Sequence, residues 1–282
     1  MVCMIRACSS REQGERHGDD WVALRLVPPV ARLGTRIALF RRIVRDRLAP
    51  PGMYDYVIAR TRSIDDAFAA VAPNIEQVVI FGAGYDSRAI RFADALRGAR
   101  VFELDAPRPQ ADKVRGLARR GITVPANVAF VPVDFAATTA AEALATARFA
   151  PGASTLYLLE GLTQYLDVPA VDATFGFIGA SAGPGSRVVF DYALASVIRG
   201  ELDTYGEAGM MRSLARSGEP WRFGIEEGCV GEFLAPFGLA VVDEADAAEL
   251  ERRYLGGRHR VNGTQVLVTA VPTTAVPQRP NA

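Results

Sequence analysis

Five short apolar runs, each followed within a few residues by a carboxylate, constrain this chain more than any other feature. They occupy residues 77–81, 100–104, 128–133, 154–159 and 187–190, and the acids that follow are Asp86, Asp105, Asp134, Glu160 and Asp191. Continuous apolar runs are the pattern of strands covered on both faces. The segments between them are long enough for right-handed helical crossovers. Two more runs, 237–242 and 265–271, bring the number to seven. The expected fold is an α/β, Rossmann-like, doubly wound sheet of seven strands.

Composition removes other classes. The 282 residues carry 32 Lys+Arg against 32 Asp+Glu, so no basic excess is available for a nucleic-acid backbone. Cys3, Cys8 and Cys229 are too few and too scattered for a disulfide framework or a zinc site, and no metal is expected. No apolar run reaches the ~18–20 residues of a membrane span, so no membrane partner is expected. The first ten residues lack the apolar core of a signal peptide, and the expected location is cytoplasmic. Residues 1–18 are polar and read as a flexible tail. Residues 19–72 read as a helical cap: one helix from Gly34 to Leu48 with Ile37, Phe40, Ile43 and Val44 inward, a stop at Pro50-Pro51-Gly52, and a second helix over 53–71. Residues 73–275 read as the sheet domain, with a variable insertion over 193–223.

Ligands of open α/β sheets bind outside the carboxyl ends of the strands. After the first strand stands Gly82-Ala83-Gly84, where a ligand meets backbone with no Cβ in the way. After the second stand Glu103 and Asp105, acids that suit ribose hydroxyls. The combination points to an adenosine-type cofactor. A dinucleotide site has a third glycine where this chain has Ser87, and Asp86 beside it repels pyrophosphate. Acid-lined strand ends suit a cation, and S-adenosyl-L-methionine carries a sulfonium, an ammonium and no phosphate.

The segment 77–88, QVVIFGAGYDSR, resembles the glycine motif of the leucine carboxyl methyltransferase family, with its bacterial O-methyltransferase branch. Further blocks follow in the family's order: Ala59-Arg60-Thr61-Arg62, Phe102-Glu103-Leu104-Asp105, Val133-Asp134-Phe135, Glu160-Gly161-Leu162 and Gly218-Glu219-Pro220-Trp221-Arg222-Phe223. The resemblance spans roughly residues 50–270. It implies a class I methyltransferase fold, with the seventh strand antiparallel between strands five and six. It also implies S-adenosyl-L-methionine as cofactor. By position, Arg60 and then Arg62 would hold the methionine carboxylate. The turn of Gly82, Ala83, Gly84 and Asp86 would lie beneath the cofactor, Glu103 or Asp105 would take the ribose, Asp134 and Phe135 would flank the adenine, and Glu160 would lie by the methionyl end.

Methyl transfer from a sulfonium needs alignment and exclusion of water. A carboxylate acceptor is already ionised at neutral pH, whereas a phenol with pKa ~10 usually needs a base. The only histidines, His17 and His259, lie away from every strand end. No residue reads as a chemical catalyst. The expected activity is O-methylation of a small-molecule carboxylate, then of a phenol, as in secondary metabolism. A protein carboxyl group as acceptor, or a non-catalytic cofactor binder, is the alternative. Tyr165, Tyr192, Trp221, Arg222 and Phe223 are the candidate acceptor-site residues, with Arg222 as the clamp for a carboxylate. Tyr165 and Tyr192 read equally well as core aromatics, and Lys113 as a solvated helix residue. Oligomeric state is not legible.

Overall fold

In the computed structural model, which describes residues 1–134, 138–201 and 204–273, the first apolar run is strand β1 (Gln77–Phe81) with every residue buried. It lies at the centre of one seven-stranded sheet, with β2 (Arg100–Asp105), β3 (Val128–Pro132), β4 (Thr155–Leu159), β5 (Arg187–Ala193), β6 (Leu239–Ala245) and β7 (Gln265–Pro272). The order is β3-β2-β1-β4-β5-β7-β6. Strands β1 to β5 pair in parallel, and β7 runs antiparallel to both β5 and β6. This is the strand order the resemblance implies. The chain reverses its winding between β1 and β4, where Phe81 aligns with Leu159. Such a switch point opens a crevice at the strand ends, and Gly82 and Glu160 flank it.

Thirteen α-helices surround the sheet among the described residues. Before β1 come α1 (Val2–Ser9), α2 (Trp21–Leu26), α3 (Pro29–Gly34), α4 (Ala38–Ile43) and α5 (Met53–Val71). Then follow α6 (Arg88–Arg91), α7 (Pro107–Arg119), α8 (Ala140–Ala145) and α9 (Val168–Ser181). After β5 come α10 (Ala195–Ile198), α11 (Glu207–Ser217), α12 (Val230–Leu234) and α13 (Ala247–Tyr254). Several starts are set by side chains that accept from the first turn's free amides. Asp20 accepts from Ala23, Asp167 from Ala170 and Asp246 from Glu249. Thr139 and Glu142 form a capping box.

Three expectations need correction. Residues 1–18 are not a flexible tail: α1 packs on α2 and α5, with Ile5, Ala7 and Cys8 fully buried. Its short apolar stripe is diluted by flanking arginines and serines, which hides it in composition. The helix expected over 34–48 is broken. Helix α4 passes into a π-helical turn, Val44–Leu48, which shifts the phase of the apolar stripe. Val44 is fully buried and Phe40 half-buried, while Ile37, Ile43 and Leu48 face solvent. The crossover after β1 is one helical turn, α6, followed by turns that bury Leu96 and Ala99.

Candidate cofactor cleft and acceptor cavity

At the switch point the chain leaves β1 through Gly82 and Gly84, both with positive φ (57° and 45°). A side chain at Gly82 would also set its Cβ 2.9 Å from Leu162. Glycine is required there on both counts. The turn is tied to β2: the Gly84 amide donates to Asp105 Oδ2 at 2.6 Å, and Asp105 Oδ1 accepts from the Ala106 amide at 2.7 Å. Above the turn is a cleft of about 270 Å³ lined by Arg6, Arg60, Gly82, Ala83, Gly84, Asp86, Glu160 and the first residues of α1, among others. Six of the residues expected at the cofactor are thus brought together, and Asp105 adjoins them through the Gly84 amide.

The walls are a buried ionic network. Arg60 projects from α5, donates to Asp191 at 2.6 Å, pairs with Glu160 at 2.9 Å and lies over the Tyr56 ring at 5.3 Å. Tyr56 and Gln265 also donate to Asp191, as does the Gly161 amide. This fixes Asp191, and with it Arg60. Arg88, fully buried, joins Asp65 at 2.8 Å, Asp86 at 2.5 Å and Glu160 at 2.6 Å. Burial pushes Glu160 and Asp86 up, but the arginines outweigh it and both carboxyls sit below their ordinary range. Asp86 is therefore neutralised by Arg88, and its charge does not face the cleft as a free repeller of pyrophosphate.

Among the described residues, the buried Nε atoms of Arg6, Arg41 and Arg60 have no hydrogen-bond partner, and Arg6 and Arg60 line the cleft. Arg6 comes from α1, donates to the Tyr85 carbonyl at 2.6 Å and pairs with Asp20 at 3.5 Å. The cleft thus gathers two arginines, Arg6 and Arg60, and two carboxylates, Asp86 and Glu160, around the glycine turn.

Other expected residues lie elsewhere. Arg62 leaves the opposite side of α5, donates to the Glu15 and Tyr254 carbonyls at 3.0 and 2.7 Å, and lies over the Tyr254 ring. It anchors the cap instead of lining the cleft, because positions two apart on a helix point apart. Glu103 is also displaced from its expected role. It is buried in a 2.5 Å ion pair with Lys113 of α7, which is likewise buried and not solvated. Burial raises its carboxyl, against the pull of Lys113. Of the two acids, Asp105 reaches the glycine turn. Asp134 is exposed at the end of β3, and Phe135 lies outside the described residues.

A second cavity, of about 420 Å³, is lined by Tyr165, Gly218, Glu219, Pro220 and Arg222. The Arg222 amide donates to the Gln164 carbonyl at 2.7 Å, so the insertion is tied to the segment leaving Glu160. Arg222 is exposed and Tyr165 half open. Trp221 and Phe223 are turned inward, Phe223 against Phe233 at 5.5 Å between ring centroids. Tyr192 is buried and bonds Glu244 at 3.2 Å, in a different cavity on the β5–β7 side. Of the five expected acceptor residues, the structure groups Tyr165 and Arg222. Arg6, Arg88 and Asp191 were not expected at the site. Arg88 ends the glycine-motif segment, Asp191 is the acid after the fifth apolar run, and Arg6 carries no local signal.

A family model described as leucine carboxyl methyltransferase matches residues 1–179, a span that includes α1 and ends before the insertion. A protein of Mycolicibacterium smegmatis named as an S-adenosyl-L-methionine-dependent methyltransferase is 39% identical over 138 residues, 49% of this chain and 43% of its own length. One of Mycobacterium ulcerans with the same name is 41% identical over 140 residues, 49% and 44% of the two chains. The match thus spans less than half the length of these relatives. A solved structure from Listeria monocytogenes, also named as an S-adenosylmethionine-dependent methyltransferase, superposes with a TM-score of 0.51 at 15% identity. It covers 76% of this chain and 98% of its own, a likeness of fold.

Proposed function

Because the chain belongs to the leucine carboxyl methyltransferase family, we propose that it is an S-adenosyl-L-methionine-dependent O-methyltransferase acting on a carboxylate, with a small molecule as acceptor. The observation that carries this reading is the cleft at the carboxyl ends of β1 and β4, where Arg6, Arg60 and Glu160 line the same space as the Gly82–Gly84 turn. When bound, the cofactor supplies an electrophilic methyl group on a sulfonium. Arg6 and Arg60 offer N–H donors to its carboxylate, and Asp105 offers its oxygens to the ribose hydroxyls. Glu160, held ionised by Arg60 and Arg88, balances positive charge beside them. Met1, Val2 and Cys3, at the start of α1, line the same cleft. Such positioning supplies ~7–11 kcal/mol in favourable cases.

A carboxylate acceptor needs no base, and no described histidine lines either cavity beside Gly82 or Arg222. Arg222 is the donor that would orient it, by a bidentate fork. One observation favours a second reading. The Tyr165–Arg222 cavity is bounded by exposed, mixed-polarity residues, while Trp221 and Phe223 are spent in the core. That wall also suits the terminal carboxylate of a polypeptide.

Calorimetric titration with S-adenosylhomocysteine, with NAD as control, tests the cofactor. Binding by the wild type and none by Gly82→Asp is the expected result; NAD binding without the sulfur cofactor overturns the reading. Methyl transfer to small carboxylic acids, phenols and carboxyl-terminal peptides then identifies the acceptor. Arg222→Ala should raise the acceptor KM and leave cofactor affinity unchanged.

A further inference from the structure

Seven of the fourteen exposed large apolar side chains among the described residues lie within the 28 residues 21–48. Val30, Leu33, Ile37 and Leu39 are 57–84% exposed, and Ile43 and Leu48 about half. Leu39 and Ile43 stand four apart on α4 and share a face. Apolar exposure concentrated in this way marks an interaction surface. The same 28 residues hold seven arginines and one acid, Asp46, in a chain whose total charge is zero. Arg25, Arg32, Arg36, Arg42 and Arg47 are exposed, and Arg32, Arg36 and Arg47 have no ion-pair partner among the described residues. The basic character is therefore local, and the segment is interleaved basic and apolar along its whole length.

We propose that residues 21–48 form a docking surface for an anionic lipid bilayer. Short helical turns with exposed aliphatic side chains between arginines are built to lie in a membrane interface, with the apolar groups at the acyl boundary and the guanidinium groups among the headgroups. Charge complementarity decides between the candidate occupants. A second copy of this chain would set one arginine-rich face against another across a two-fold axis. A nucleic acid would find the charge but little to stack on: Trp21 is the one exposed aromatic in the segment, and Arg25 already lies over it. An anionic bilayer satisfies both halves of the surface. No described helix is long and apolar enough to cross a membrane, and a segment that lies on the surface does not need one. The expectation of no membrane partner rests on the lack of a spanning run alone. The segment follows α1, so the bilayer would meet the same cap that lines the cofactor cleft. The proposal does not depend on the methyl-transfer reading.

The test is co-sedimentation of the full chain with phosphatidylcholine vesicles, with and without phosphatidylglycerol. Binding should require the anionic lipid and fall with added salt. The triple variant Arg32→Gln, Arg36→Gln, Arg47→Gln should bind about a hundredfold more weakly. The double variant Leu39→Ser, Ile43→Ser should also lose binding while its melting temperature is kept, since both side chains are exposed. Binding indifferent to lipid charge, or retained by both variants, overturns the proposal. So does a wild-type dimer that the Leu39/Ile43 variant disperses, or an oligonucleotide that displaces the vesicles.

Discussion

Arg60 and Arg62 lie two positions apart on α5 and do different work. Arg60 is buried between Asp191 and Glu160 with Nε unspent, whereas Arg62 spends its Nη1 on two backbone carbonyls. Replacing Arg60 with Lys should keep a charge between the two acids but lose the fixed fork. A lost charge-assisted hydrogen bond is worth ~1.5–3 kcal/mol, so affinity for S-adenosylhomocysteine should drop roughly ten- to hundredfold. Arg62→Ala should lower the melting temperature, because Glu15, Tyr254 and α5 lose their tie, and leave the affinity unchanged. Calorimetric affinities and thermal melts of both variants separate the roles. A larger affinity loss at Arg62 would reverse the assignment.

At the scale of elements, the Glu103–Lys113 pair joins β2 to α7, where a solvated helix lysine was one of two equal readings. Taking two ions out of water is costly, and their attraction offsets it only while both are present. Glu103→Gln should therefore cost ~3–5 kcal/mol by leaving Lys113 buried without a counter-ion. The double variant Glu103→Met, Lys113→Met should recover most of that loss. Urea unfolding of the wild type, single and double variants closes the cycle. An equal loss in both would mean that packing, not charge, holds α7. The strands themselves were legible because each is a local run bounded by an acid or a glycine: β1 is recovered to the residue. Their order came from the resemblance. Helix α1 and Arg6 were not legible, because their partners are remote. Arg6 meets the carbonyl of Tyr85, 79 positions away. The fate of Glu103 was hidden for the same reason: its alternation along β2 matches Asp105, and only the placement of α7 distinguishes them. The interruption of the cap helix at Val44 has no turn residue to announce it.

The whole molecule is anchored by one ionic cluster that joins the cap to the sheet, since Asp65 and Arg60 come from α5, Arg88 from α6, Glu160 from the end of β4 and Asp191 from β5. Its acid dependence follows from the direction of the shifts. Asp86 and Glu160 titrate below their ordinary range in the folded chain, because Arg88 and Arg60 outweigh the burial that opposes them. An unfolded chain would protonate them near pH ~3.9 and ~4.3. The stability they add is thus fully present above those values and is lost as pH falls towards the folded ones. Glu103 is raised by burial and works in the opposite sense, favouring the folded chain on the acid side. Glu103 also feels Asp86 and Asp105, whereas Asp86 and Glu160 share the arginine cluster that holds the cap to the sheet. The melting temperature should therefore hold from about pH 8 to pH 5 and fall steeply below about pH 4. Glu160→Gln should melt lower at neutral pH, because Arg60 and Arg88 each lose a counter-ion, and should decline less on acidification, because one of the two titrating groups is gone. Melts of both proteins across that range provide the check. An acid limb of equal steepness in the variant would place the acid sensitivity outside this cluster.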